Sequence, residues 1–167
     1  PLGGLFDAVS EHEAAKTLTE AMDHGLNYVD TAPFYGFGRS ERRAGDILRG
    51  RDYVLSTKVG RLLVPGAAPD PAALGWPDAL PFHPVFDYSY DGVMRSFEAS
   101  LQRLGLDRID ILYVHDIGSE THGTKGDAHF KTLAEGGYRA LEELRSSGRV
   151  KAIGLGVNET SVCMDAL

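Results

Sequence analysis

Short runs of β-forming residues alternate along this chain with longer segments of helical periodicity, and this alternation restricts the possible folds more than any other feature. A strand followed by a helix, repeated along a chain, is typical of βαβ units around a parallel sheet. Two architectures use such units: a closed barrel and an open sheet. The sequence therefore predicts an α/β fold in which the strands run parallel.

Capping residues mark the predicted helices. Ser10 and Glu13 form a capping-box pattern, and the apolar stripe that follows predicts a helix ending near Gly25. The same reasoning predicts a second helix that Ser40 starts and Gly50 stops, a third before Gly105, a fourth before Gly148, and another that opens at Glu159.

Four strands are predicted between these helices, at residues 27–30, 53–58, 109–114 and 150–157. The third is nearly continuous in apolar residues, which indicates burial on both faces. Residues 61–88 are rich in proline, glycine and aromatic residues and show no clear period. So long an irregular stretch indicates a functional loop, a lid, a local excursion or an insertion. A further loop is predicted at residues 118–127.

The composition excludes several classes of protein. Of the 167 residues 43% are hydrophobic, and no apolar run approaches the roughly 18 residues of a membrane span. With 17 basic and 24 acidic residues the net charge is −7, which argues against nucleic acid or an anionic membrane as a partner. Because no signal-peptide pattern is present, the chain is expected to be cytoplasmic. The single cysteine, Cys163, is expected to be a small buried residue.

Polar side chains lie at the carboxyl end of each predicted strand. Asp30, Lys58, His115 and Asn158 end or follow four different strands, and Tyr35 lies in the loop after the first. Barrels and parallel sheets place their reactive groups at this face, because the strand ends and the βα loops open onto it. Each residue alone also has an ordinary interpretation: a turn cap, a surface charge, a satisfied core histidine or a loop aromatic.

Together these side chains suit proton transfer. An unperturbed phenol has a pKa of about 10, and a neighbouring ammonium stabilises the phenolate. Asp30 would hold the Lys58 ammonium by a charge-assisted hydrogen bond, and His115 would orient and polarise a substrate oxygen. The pattern predicts coupled proton and hydride transfer, with Tyr35 as general acid or base.

Three other patterns carry less weight. Gly154-x-Gly156 lacks the third glycine of a dinucleotide fingerprint and is expected to be an ordinary strand end. No metal is predicted, because four loop residues with metal-binding side chains fit no ligand spacing and are expected to be solvated: Asp116, His122, Asp127 and His129. The aromatic residues of the irregular stretch either line a substrate pocket or pack onto the strand ends: Trp76, Phe82, Phe86 and Tyr88.

Three segments resemble the aldo-keto reductases in order and spacing: Asn27-Tyr28-Val29-Asp30-Thr31-Ala32-Pro33-Phe34-Tyr35-Gly36, Ser56-Thr57-Lys58-Val59-Gly60 and Asp110-Ile111-Leu112-Tyr113-Val114-His115. The resemblance covers essentially the whole chain and implies a TIM (β/α)₈ barrel and an oxidoreductase that uses NAD or NADP. It implies a catalytic tetrad of Asp30, Tyr35, Lys58 and His115, with Tyr35 and His115 contacting the substrate and Asp30 also near the cofactor. It further implies that Asn158 holds the nicotinamide carboxamide; Val157 stands where many members have serine. Trp76 is a further candidate for substrate contact.

The segment Gly154-Leu155-Gly156-Val157-Asn158-Glu159, the pair His115-Asp116 and the long stretch after Lys58 are most similar to the branch of aldose 1-dehydrogenases and pyridoxal 4-dehydrogenase. This similarity implies that a sugar is oxidised at C1, from a cyclic hemiacetal to its lactone. The alternatives are oxidation of pyridoxal, NADPH-dependent reduction of aldehydes or ketones, and a non-catalytic, cofactor-sensing subunit of the same fold.

A complete barrel of this type needs about 250 residues. Residues 1–167 are therefore expected to form roughly the first half of one barrel domain, with the first strand mostly before Pro1 and the last strands after Leu167. The groups that distinguish NAD from NADP would lie in the second half. A half barrel leaves strand edges uncovered, which favours self-association.

Overall fold

The computed structural model describes residues 2–68 and 70–166, in which helices and strands alternate. The helices are α1 (Glu11–Asp23), α2 (Arg39–Leu48), α3 (Tyr90–Leu104), α4 (Ser119–His122), α5 (Gly126–Thr132), α6 (Tyr138–Ser146) and α7 (Thr160–Asp165). The strands are β1 (Tyr28–Asp30), β2 (Val54–Val59), β3 (Arg61–Pro65), β4 (Phe82–Phe86), β5 (Ile111–His115) and β6 (Ala152–Gly156).

Four strands form one parallel sheet in the order β1-β2-β5-β6. The register pairs Asp30 with Ser56, Lys58 with Tyr113, and His115 with Gly156. Because all four strands run in the same direction, their carboxyl ends share one edge of the sheet, and Asp30, Lys58 and His115 lie there. The predicted parallel α/β architecture is confirmed.

The hydrophobic core lies between this sheet and the helices. Alternate residues of β2 and β5, such as Leu55 and Leu112, pack with apolar side chains of α2, α3 and α6. Gly45 of α2 permits close contact with α3, because a Cβ at this position would collide with the Leu104 carbonyl group. The predicted capping box of Ser10 and Glu13 starts α1, so this boundary is confirmed.

The opposite face of the sheet is more polar. The Tyr28 hydroxyl lies 3.0 Å from the Ser56 hydroxyl and 3.4 Å from that of Tyr113. On β6, a Cβ at position 156 would lie 3.1 Å from Lys58 Cε. The glycine at this position therefore leaves room for the Lys58 side chain on this face of the sheet.

The stretch without a clear period contains an antiparallel hairpin, β3 and β4, which the sequence did not predict. Pro65 and Pro84 lie within these strands and obscure the alternation that marks a strand in a sequence. Gly60, with φ of 102°, makes the turn from β2 into β3. The segment between β3 and β4 carries Trp76, which packs beside Tyr35 and so covers the strand ends.

Three expectations were wrong. Helix α2 begins at Arg39, after Gly38 in a left-handed conformation, whereas the Ser40 hydroxyl accepts a hydrogen bond from Thr31. The loop predicted at residues 118–127 is mostly helical, in α4 and the start of α5. Cys163 is exposed on α7, which buries its neighbour Val162 instead.

Candidate active site

An ion pair between Lys58 and Asp30 lies at the carboxyl edge of the sheet. Lys58 Nζ donates to Asp30 Oδ2 at 2.6 Å and to the Thr31 carbonyl oxygen at 3.0 Å. The Ser56 hydroxyl donates to the other oxygen of Asp30 at 2.5 Å. Lys58 is only 6% exposed. Two of its three N–H groups are thus occupied, and one remains for a further acceptor.

Tyr35, in the loop between β1 and α2, lies beside this ammonium. Its ring centre is 4.9 Å from Lys58 Nζ, 5.6 Å from the Trp76 ring and 5.6 Å from the His115 ring. A cavity of about 380 Å³ is lined in part by Asp30, Tyr35 and Trp76. The geometry therefore provides a phenol with a cation on one side and open space for a small molecule nearby.

His115 ends β5 and is buried. Burial, with the positive charges of Arg61 and Lys58, lowers the pKa of its imidazole to about 2, so the ring is neutral near pH 7. The Tyr88 hydroxyl donates to the His115 carbonyl oxygen at 2.8 Å and fixes this end of the strand. A neutral imidazole can donate one hydrogen bond to a substrate oxygen without carrying a charge.

Two charged residues of this edge were missed by the sequence reasoning. Arg61 is buried and donates to Asp116 Oδ2 at 2.7 Å, so Asp116 is not the solvated loop residue that was expected. The Arg61 guanidinium also lies 4.1 Å from the centre of the Phe34 ring. Asn158 Nδ2 donates to Asp116 Oδ1 at 3.4 Å. The pairing of Arg61 with Asp116 is long-range in sequence and left no local pattern.

The loop histidines are not simply solvated either. His122 Nε2 is 2.9 Å from the Tyr88 hydroxyl, and the ring centres of His122 and His129 are 4.3 Å apart. Both rings pack against Phe86 of the hairpin. They hold the hairpin against α4 and α5, the helices in which they lie. Phe86 and Tyr88 thus serve packing there, whereas Trp76 and Phe82 belong to the apolar cluster around Tyr35.

The structure thus brings four predicted residues into one group: Asp30, Tyr35, Lys58 and His115. Trp76 packs beside this group, and Asn158 is joined to it through Asp116. Behind the group, the fully buried carboxylate of Glu41 accepts hydrogen bonds from Thr57 at 2.7 Å and from Arg103 at 2.5 Å. This second buried pair connects β2, α2 and α3 through Thr57, the neighbour of Lys58 in the chain.

Two kinds of feature are absent from the part of the chain that the structure describes. In residues 2–68 and 70–166, no three histidine, cysteine or acidic side chains are grouped so that they could hold a metal ion. Over the same ranges, no helix has the length and apolar character needed to cross a membrane.

Comparison with known proteins assigns the chain to a family. Residues 2–166 match the model of the aldo/keto reductase family. The chain belongs to the aldo/keto reductase family. It is 50% identical to a pyridoxal 4-dehydrogenase of Microbacterium luteolum, over 100% of this chain and 52% of that protein. It is 41% identical to a D-threo-aldose 1-dehydrogenase of a Pseudomonas species, over 99% of this chain and 49% of that protein.

The fold agrees with solved structures of aldo/keto reductases. A glycerol dehydrogenase from Gluconobacter oxydans superposes with a TM-score of 0.71 at 25% identity, over 98% of this chain and 44% of that one. The holo form of an aldo-keto reductase from Bacillus halodurans superposes with a TM-score of 0.69 at 25% identity, over 98% and 47% of the two chains. The chain spans about half the length of the relatives it matches, and its four parallel strands form part of a TIM barrel.

Proposed function

We propose that the protein is an NAD- or NADP-dependent oxidoreductase that oxidises a cyclic hemiacetal carbon to a lactone, with an aldose oxidised at C1 as the leading substrate. The observation that carries this proposal is the buried Lys58 ammonium, held by Asp30 at 2.6 Å and lying 4.9 Å from the centre of the Tyr35 ring. An ammonium fixed in this way would stabilise the negative charge that develops on Tyr35 when a proton is exchanged with the substrate.

The residues divide the chemistry between them. Tyr35 accepts the proton of the hemiacetal hydroxyl while a hydride leaves the same carbon, so that a carbonyl group forms there. His115, neutral and buried, donates a hydrogen bond to the substrate oxygen and keeps it oriented toward Tyr35. Asp30 and Thr31 hold the Lys58 ammonium in place throughout.

The residues present fit a nicotinamide at this edge. The Asn158 amide nitrogen donates to Asp116, which leaves the amide oxygen of this exposed side chain as an acceptor for the NH₂ group of a carboxamide. Asn158 and Asp30 are the residues that would hold the nicotinamide. When bound, the nicotinamide ring supplies the acceptor for the hydride.

Oxidation of pyridoxal is a second candidate, and two observations favour it. The relative from Microbacterium luteolum, 50% identical, is named a pyridoxal 4-dehydrogenase. Trp76 and Phe34 lie beside Tyr35, with ring centres 5.6 and 5.8 Å apart for the pairs Tyr35–Trp76 and Phe34–Trp76. A flat, heteroaromatic substrate in the adjoining cavity would contact the aromatic side chains of Tyr35 and Trp76 that line it.

The test is a substrate profile of the full-length protein. Fucose, galactose and pyridoxal are each offered with NAD and with NADP, whereas a simple aldehyde is offered with NADH and with NADPH. The change in reduced nicotinamide and the lactone product are quantified. We expect the kcat/KM of at least one hemiacetal substrate to exceed that for reduction of the simple aldehyde. Exclusive reduction of aldehydes with NADPH would contradict hemiacetal oxidation, and tight cofactor binding without any turnover would support a cofactor-sensing subunit.

A further inference from the structure

Asp116 follows His115 directly and makes contacts that the proposed reaction does not use. Its Oδ2 accepts from Arg61 at 2.7 Å and lies 3.4 Å from His115 Nε2, whereas its Oδ1 accepts from Asn158 at 3.4 Å. We propose that Asp116, anchored by Arg61, is a positioning residue that sets the orientation of both His115 and Asn158. This inference rests on the proposed function for the roles of those two residues.

The backbone holds Asp116 between two strand ends. Its φ of 40° is in the left-handed region, which is uncommon for a residue other than glycine. Its backbone N–H donates to the Gly156 carbonyl oxygen at 2.9 Å, at the end of β6. The strained residue is thus tied to both strands that carry its partners, since His115 ends β5 and Asn158 follows β6.

The carboxylate decides how Asn158 is oriented. A carboxylate only accepts hydrogen bonds, so the end of the Asn158 amide that faces it must be the NH₂ group. The amide oxygen then points away from Asp116 and is left for a donor such as the carboxamide of a nicotinamide. Without this contact, nothing in the described hydrogen bonds would distinguish the two ends of the Asn158 amide.

The same carboxylate decides which ring nitrogen of His115 carries the hydrogen. A lone pair on Nε2 would be repelled by Asp116 at 3.4 Å, so the neutral ring carries its hydrogen on Nε2. Among the described residues this pair is close but makes no hydrogen bond, so the N–H group stays available to a substrate oxygen. The other nitrogen, Nδ1, is buried without a partner among the described residues.

Because Asp116 is paired with Arg61, its carboxylate can lie beside His115 while the imidazole stays neutral. An unpaired carboxylate beside His115 would draw a proton onto the ring. The charged and titratable groups around the ring are Lys58 from β2, Arg61 from β3, Asp116 after β5 and Tyr35 from the loop after β1. Arg61, buried against the Phe34 ring, is the direct ion-pair partner of Asp116.

The first test is an NMR titration of the His115 imidazole in the full-length, cofactor-free protein. In the wild type we expect the ring to stay neutral through the mildly acidic range. In Arg61→Met the midpoint of the His115 titration should rise by at least about one pH unit. In the double variant Arg61→Met/Asp116→Asn it should fall back, because the carboxylate is also gone. A single variant that titrates like the wild type, or a double variant that titrates like the single one, would overturn the proposal.

The second test measures cofactor affinity by fluorescence titration with NADH and with NADPH. Asp116→Asn offers an amide that can turn its own NH₂ toward Asn158, and we expect the Kd to rise about tenfold, with Asp127→Asn on exposed α5 as the unaffected control. Unchanged affinity in Asp116→Asn would remove Asn158 from the proposal. Should Asp116→Asn fail to fold, the titration of Arg61→Met still decides the matter. Should the wild type oxidise no hemiacetal, the proposed function fails while both measurements on Asp116 remain valid.

Discussion

Replacement of Lys58 by methionine removes the charge of the buried ammonium and keeps most of the side-chain volume. The positive charge lies 4.9 Å from the centre of the Tyr35 ring. At an effective dielectric constant of about 20, two unit charges at this separation interact by about 3 kcal/mol. Asp30, 2.6 Å from the ammonium, offsets part of this energy. We therefore expect kcat/KM to fall by roughly a hundredfold, because each factor of ten corresponds to about 1.4 kcal/mol.

Fold and cofactor binding should survive this substitution. Asp30 is 40% exposed at its side chain and still accepts from Ser56, so it is not left as a buried, unpaired charge. The assay is steady-state oxidation of the best hemiacetal substrate by the full-length protein, with the cofactor Kd measured in parallel. Lys131→Met, at an exposed surface pair, is the matched control and should not change turnover. Retention of more than about one tenth of kcat/KM in Lys58→Met would show that the charge of Lys58 does not assist the reaction at Tyr35.

Two further predictions concern stability. Glu41→Ala removes a fully buried carboxylate that accepts from Thr57 and Arg103. It should lower the free energy of unfolding, measured by urea titration, by about 3 kcal/mol. A loss below about 1 kcal/mol would contradict a structural role for the pair. The pKa of His115 is about 2 in the folded protein against 6.5 for an ordinary histidine, so below about pH 6.5 only the unfolded chain gains this proton and stability is lost as the pH falls toward 2. Between about pH 6.5 and 5 the wild type should lose roughly 1.5 kcal/mol more than His115→Asn; parallel losses in the two proteins would show that His115 is not buried in neutral form.

Local patterns were sufficient to predict the parallel sheet and the positions of three polar strand ends. Asp30, Lys58 and His115 each follow a short β-type run, and in a parallel sheet the ends of such runs meet at one edge. The capping box at Ser10 fixed the start of α1 for the same reason, since its hydrogen bonds are made within four residues.

Interactions between distant residues could not be predicted in this way. Arg61 pairs with Asp116, 55 positions away, and Glu41 pairs with Arg103, 62 positions away. The hairpin β3–β4 was missed because its strands contain prolines and are joined by a long segment. Cys163 was misjudged because the burial of a single residue depends on which face of a short helix meets the core, and on α7 that face carries Val162.

The proposed reaction requires Tyr35 as the group that takes the substrate proton. The decisive measurement is the single-turnover rate of hydride transfer from a hemiacetal substrate in the full-length protein, compared between wild type and Tyr35→Phe with the cofactor Kd determined for both. We expect a rate at least about a hundredfold lower in Tyr35→Phe, with an unchanged Kd. A rate within a few-fold of the wild type, at equal cofactor occupancy, would contradict this role of Tyr35.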